Sequence, residues 1–210
     1  MVFAVLADEV LKQEIITKGV PDAVEIIWAD SVKSLTIIEA DVYADLLFEM
    51  DVERTDHLQK LLLKPVLINA VAYSTKTVGA EFIRINAWPG FLQRTDVEIA
   101  VPATIQEEKI KKIFSGLQWN YKITPDIPGM ITARIIAMII NEAYYALGDQ
   151  VSTREEIDIA MKLGTNYPYG PFEWSEKIGL KRVYELLKEL SRTDERYNIA
   201  PALELEIQQR

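Results

Sequence analysis

The sequence predicts two joined domains of different class: an α/β domain with a largely parallel sheet over residues 1–125, then an all-α domain over 126–210. Three observations carry this. Up to about residue 125 the apolar residues come in short runs of strand length: Phe3–Leu6, Val24–Trp28, Tyr43–Phe48, Val66–Val71, Phe82–Ile85, Val97–Val101 and Trp119–Ile123. Several of these are separated by helical patterns, at Glu9–Lys18, Thr55–Leu63 and Gln106–Phe114. Continuous apolar strands alternating with helices are the mark of a sheet covered on both faces. From Asp126 onward the strand period disappears and helix follows helix.

In that second half Asp126 reads as an N-cap with Pro128 in the first turn, opening an apolar run from Met130 to Leu147 that stops at Gly148. Ser152-Thr-Arg-Glu155 has the spacing of a capping box and starts a helix that ends near Gly164. Residues 171–178 and 180–190 give two more helices. The run from Met130 is apolar on nearly every side, through Ile131, Ile135, Ile136, Met138, Ile139, Ile140, Ala143, Tyr144 and Leu147. A helix of that kind must be buried on more than one side; a second subunit is the expected cover, the alternative being that the N-terminal sheet covers it in a monomer.

Composition removes several classes of function. With 32 acidic and 23 basic residues the net charge is −9, so a nucleic-acid partner is not expected. There is no cysteine, hence no disulfide, thiolate nucleophile or thiolate metal site. The single histidine, His57, excludes a multi-histidine metal site, so no metal is expected. In ERTDHLQKLL it reads as a surface residue at the start of a polar-faced helix. The longest apolar stretch, Met130–Ile140, is broken by Arg134 and too short for a bilayer. The N-terminus has no basic region and turns acidic at Asp8 and Glu9, so a cytoplasmic protein without a membrane partner is expected.

The opening FAVLADEVLK reads as strand, tight turn and helix, the way dinucleotide-binding domains begin. Those turns carry glycines because the backbone must approach a pyrophosphate at the helix N-terminus. The three glycine positions of G-x-G-x-x-G fall here on Ala7, Glu9 and Lys12. A carboxylate at Glu9 opposes a phosphate.

The segments DIPGMITARI, NEAYYAL, EEIDIAMKLGTNYPYGPFEWSEKIGL and DERYNIAPAL come in an order and spacing that resemble the C-terminal domain of 3-hydroxyacyl-CoA dehydrogenases, over nearly all of residues 126–203. The resemblance implies a Rossmann-like NAD-binding domain followed by the family's helical domain, of the 6-phosphogluconate dehydrogenase C-terminal-like type. In this register YADLLFEM resembles the family's ADLVIEAV strand and PVLINAVAYST its L-x-SNTSSL strand, with Val71 in place of a serine that helps position substrate. Only a short segment separates Trp28 from Tyr43, where the family has a long helical excursion that helps hold the CoA moiety.

The resemblance also implies where chemistry would sit. The family's general acid/base histidine of H-F-F-N-P falls on Asn86, and the glutamate that orients it on Glu98, twelve residues later. An amide relays no proton near neutral pH, and with its partner replaced Glu98 reads as a solvent-facing strand residue. The substrate-contacting asparagine of PGF-x-x-NR is Ala133, although Arg134 is kept. Asp30, at the end of the second strand, stands where an acid holds the adenosine ribose, and reads here as a helix or turn cap. Tyr167–Glu173 and the tryptophans Trp88, Trp119 and Trp174 read as structural. The family's cofactor is NAD; with Ala7, Glu9 and Lys12 at the glycine positions no cofactor is expected. The implied protein is a degenerate family member, dimeric through its C-terminal helices, that binds an acyl-CoA or a partner enzyme. The alternative is an active 3-hydroxyacyl-CoA (3-hydroxybutyryl-CoA) dehydrogenase of fatty-acid metabolism with a divergent site.

Overall fold

The computed structural model describes residues 1–79 and 81–210. The chain divides into two compact units, Met1–Met130 and Ile131–Arg210. The first holds seven strands: β1 (Val2–Leu6), β2 (Glu25–Ala29), β3 (Val42–Asp45), β4 (Val66–Ile68), β5 (Ile83–Ile85), β6 (Asp96–Ala100) and β7 (Asn120–Ile123). They form one sheet in the order β2-β1-β3-β4-β5-β6-β7, parallel throughout except for the antiparallel pair β5–β6. All seven apolar runs of the sequence are strands of this sheet. Both faces are covered, which is why the strands read as continuous apolar runs. Phe3 and Val5 pack on one side with Leu11, Ile15, Ile110 and Phe114. Ala4 and Leu6 face the other side, with Leu35, Leu58 and Val78.

Five helices accompany these strands: α1 (Glu9–Lys18), α2 (Val32–Ile37), α3 (Val52–Gln59), α4 (Thr75–Val78) and α5 (Glu107–Leu117). α1 has the bounds its periodicity predicts. α3 starts earlier than Thr55 because the Asp51 carboxylate accepts the Arg54 N–H and caps it there. α2 and α4 are too short to show a period. Ser31 and Ser74 cap them, and Gly79 ends α4 in the left-handed conformation at φ +79°.

The second unit is all helix: α6 (Thr132–Gly148), α7 (Arg154–Thr165), α8 (Pro171–Ile178), α9 (Leu180–Ser191) and α10 (Pro201–Gln209), with a 3-10 turn at Glu195–Tyr197. α8 has the bounds the sequence predicts, α10 is a helix the sequence reading did not give, and one cap differs. The capping box of α7 is Thr153 with Glu156, one residue beyond the Ser152–Glu155 pair. α8 begins after Gly170, which has no capping side chain. Asp158 of α7 does that work instead, accepting from Phe172 N (2.8 Å) and Glu173 N (3.1 Å). A β-carbon on Gly170 would lie 2.3–2.4 Å from the Asp158 side chain, so this close approach requires glycine. Among the described residues no helix is long and apolar enough to cross a membrane.

Asp126 is not a helix cap. It belongs to the first unit, where its carboxylate accepts from Thr75 N (3.0 Å) and from Arg84 Nη1 (2.6 Å). Arg84, on β5, is fully buried, and its guanidinium also donates to the carbonyls of Ala70, Val71 and Ile127. One buried cation thus ties the strand-β4 turn to the segment that leaves β7. Burial alone would raise the Asp126 carboxyl, but hydrogen bonds from Thr75 and Arg84 outweigh it and hold the group below the usual carboxylate range. Its stabilising contribution is therefore present above the unfolded value of 3.8 and is lost as pH falls through the lower folded value. Arg84→Met is expected to lower stability by about 3 kcal/mol, the lower end for a broken buried pair because Asp126 keeps some solvent contact. The same variant should lose less stability than the wild type between pH 6 and the acid limb, read by urea unfolding at each pH.

Candidate active site

In open α/β sheets ligands lie beyond the carboxyl ends of the strands, where strand order reverses. Here that place is the end of β1, with α1 leading away toward β2 and β3 pairing on the other side. The ends of β3, β4 and β5 are joined by one side chain, Asn69, just past β4. Its Nδ2 donates to the carbonyls of Leu46 and Ala87, both at 3.0 Å, and its Oδ1 accepts from Ala87 N at 3.0 Å. The sequence reading passed over Asn69. Its signal was the asparagine in INAVAY that matches the SNT of the resembling motif.

Asn86 and Glu98 are brought together. β5 and β6 run antiparallel with Arg84 opposite Ala100 and Ile85 opposite Ile99, so the next pair out is 86 with 98. This register is the physical content of the twelve-residue spacing. Asn86 N donates to the Glu98 carbonyl at 2.9 Å, and Asn86 Nδ2 donates to the Glu98 carboxylate at 3.2 Å. The expectation of a solvent-facing Glu98 is wrong: it is 8% exposed and Asn86 1%. A buried carboxylate needs a donor, and the amide at 86 supplies one. What the pair lacks is a titratable group at position 86 that could exchange a proton with a substrate.

At the first turn, Ala7 is buried and closes β1 onto α1. Asp8 is the N-cap of α1, its Oδ1 accepting from Leu11 N at 2.9 Å. Glu9 is exposed and pairs with Lys12 at 2.9 Å. The Lys12 ammonium also lies 5.9 Å from the Trp28 ring centre, which takes it along the surface and leaves Leu11 and Ile15 to pack α1 on the sheet. Asp30 follows β2 but is no cap; Ser31 caps α2, and Asp30 only donates its N–H to Ser34 Oγ. A pyrophosphate at this turn would meet the carboxylates of Asp8 and Glu9 at a helix end already capped by Asp8. These residues do not fit a dinucleotide.

The other singled-out residues have structural places. His57 lies in the last turn of α3 rather than at its start, with Nε2 3.6 Å from Glu53. Trp88 and Trp119 are buried, and Trp174 packs edge-on against Tyr169. Val71 and Ala133, where the resemblance implies substrate contact, are buried apolar residues of their own units. Arg134 lies over the Tyr197 ring, 5.1 Å from its centre. Among the described residues no group of three or more acidic or histidine side chains is placed to hold a metal.

The Asn86–Glu98 geometry makes a measurable prediction. Asn86→His would place an imidazole in hydrogen-bond reach of a buried carboxylate, which raises the imidazole pKa. With only His57 as a second signal, NMR titration reads it directly. The imidazole at position 86 should titrate about one unit or more higher with Glu98 present than in the Asn86→His/Glu98→Gln double variant.

Comparison with known proteins bears on the helical unit and on the fold. Residues 129–207 match the family model of the 3-hydroxyacyl-CoA dehydrogenase C-terminal domain. The chain is 42% identical over 106 residues to 3-hydroxyadipyl-CoA dehydrogenase of Escherichia coli, covering 48% of this chain and 22% of that protein. It is 36% identical over 98 residues to 3-hydroxybutyryl-CoA dehydrogenase of Bradyrhizobium diazoefficiens, covering 46% of this chain and 33% of that protein. The sequence matches thus span a third or less of those relatives' lengths. The structure of (S)-3-hydroxybutyryl-CoA dehydrogenase from Ralstonia eutropha superposes with a TM-score of 0.73 at 18% identity, covering 99% of this chain and 93% of that one, which establishes the shared fold. The chain is therefore a Rossmann-like sheet unit followed by a helical unit in which residues 129–207 match the 3-hydroxyacyl-CoA dehydrogenase C-terminal domain, and it shares the fold of those dehydrogenases.

Proposed function

We propose that this protein is a family member without NAD-dependent dehydrogenase activity, acting as a dimeric binding or regulatory protein linked to acyl-CoA metabolism. The observation that carries the reading is Asn86: it takes the place of the proton-transferring histidine and spends its amide on Glu98. General acid/base help is worth about 10²–10⁴-fold in rate, and the first turn of α1 withdraws the cofactor as well. NADH with acetoacetyl-CoA is the test. Consumption of NADH should not exceed background at high protein concentration; consumption abolished by Glu98→Ala would overturn the reading. A second reading, an active dehydrogenase with a divergent site, draws its support from Glu98, which keeps a buried and hydrogen-bonded place.

The dimer would form on α6. Ile136, Ile140, Ala143 and Tyr144 are buried within the chain, whereas Ile135 is 53% exposed and Ile131 37%. Met138 and Ile139 are half-buried on the same side, beside a groove of about 420 Å³ that Arg134 and Glu142 also line. Arg134 and Glu142 stand at equal sequence distance on either side of Met138. An antiparallel α6–α6 contact with its two-fold axis at Met138 would set each of them opposite its complement in the second copy. Ile135→Asp is expected to give a single species near the 23.9 kDa chain mass in sedimentation equilibrium, with the wild type at twice that. A wild type that sediments as a monomer at micromolar concentration refutes the dimer. Ile136→Asp and Ile140→Asp would instead strike the chain's own core.

A further inference from the structure

We infer that Asp8, more than Glu9, is the residue that keeps a dinucleotide out of the first turn of α1; this rests on the non-catalytic reading above and names the residue responsible. Glu9 stands at a glycine position, yet it is 89% exposed at the side chain and its charge is matched by Lys12 at 2.9 Å. An exposed ion pair on flexible side chains is screened and can swing into solvent at little cost. Removing it opens no binding surface, because the surface beneath is already in use.

Asp8 is placed differently. Its side chain is half-buried, its Oδ1 accepts from Leu11 N at 2.9 Å, and its own carbonyl accepts from Lys12 N at 2.8 Å. The residue is therefore held at both its backbone and its side chain. A helix N-terminus favours one anion through its aligned N–H groups. In this chain that anion is covalently attached, and its oxygen sits on the N–H of the third helical residue. A pyrophosphate would have to displace the cap and then accept the displaced carboxylate as a like-charged neighbour. Lys12 offers no relief while it is paired with Glu9 and lies along Trp28. The consequence is specific: restoring glycine at positions 9 and 12 does not restore the cradle until the charge at position 8 is gone.

The test is calorimetric titration of the full chain with NADH at fixed ionic strength. The proteins are the wild type, Glu9→Gly/Lys12→Gly, and that double variant with either Asp8→Ser or Asp8→Asn. Serine and asparagine both preserve N-capping, so these changes remove the charge and keep the helix start; matching melting curves verify it. The double variant should show no measurable binding. Both triple variants should bind NADH at least tenfold more tightly than the double. Equal affinity of double and triple variants overturns the assignment to Asp8, as does a triple variant no better than the wild type. Micromolar binding by the wild type refutes the non-catalytic reading itself.

Discussion

The arrangement beyond the sheet depends on the hydrogen bonds that fix the carboxyl ends of β3, β4 and β5. Asn69 alone makes three, to Leu46 and to both backbone groups of Ala87. Next to it the Asn86 amide and the Glu98 carboxylate satisfy one another. Each of these polar groups is nearly or wholly buried, and removing one partner would leave the other desolvated, at about 1–3 kcal/mol. The segment after Ala87 is then held along α1. Gly90, at φ +94°, donates its N–H to the buried Glu14 at 2.5 Å, and Lys18 donates to the Arg94 carbonyl at 2.7 Å. All of these bonds run between groups of the chain itself. The pairing of Asn86 with Glu98 thus satisfies two of the chain's own buried polar groups.

The helical unit is built on the same economy of polar contacts. Asp158 caps α8 from another helix, and the absence of a side chain at Gly170 lets it approach. Asn141 of α6 donates to the Asn198 carbonyl at 2.8 Å and accepts from Ala200 N at 2.9 Å, fixing where α10 starts. These residues lie in or beside the segments whose spacing matches the family. Such a match reports the demands of packing and capping. It carries the fold; catalysis is a matter of the site residues.

Much of this was legible in the residues. The seven strands follow from apolar runs because both sheet faces are covered, and α1, α8 and α9 follow from periodicity with Gly or Pro at their ends. The meeting of Asn86 and Glu98 came from a resemblance, and the antiparallel register of β5 and β6 supplies its physical cause. Other features lay beyond pattern. Asp126 looks like a cap in sequence because it precedes a helical stretch with a proline, but a buried arginine 42 residues earlier claims its carboxylate. Glu98 looks like a surface residue because strand alternation cannot see the asparagine opposite. Asp30 looks like a cap, yet the serine after it has the better geometry. For Asp126 and Glu98 a partner distant in sequence decided what local preference left open, and for Asp30 the neighbouring serine did.

The polar frame on which the account rests has its bonds supplied by the chain's own groups. Amide hydrogen exchange of the ligand-free protein tests it most directly, at Asn86 N–H, bonded to the Glu98 carbonyl, and Ala87 N–H, bonded to Asn69. These two amides should exchange as slowly as the central strands, through global unfolding alone. Exchange within seconds, at the rate of an open loop, would contradict the account.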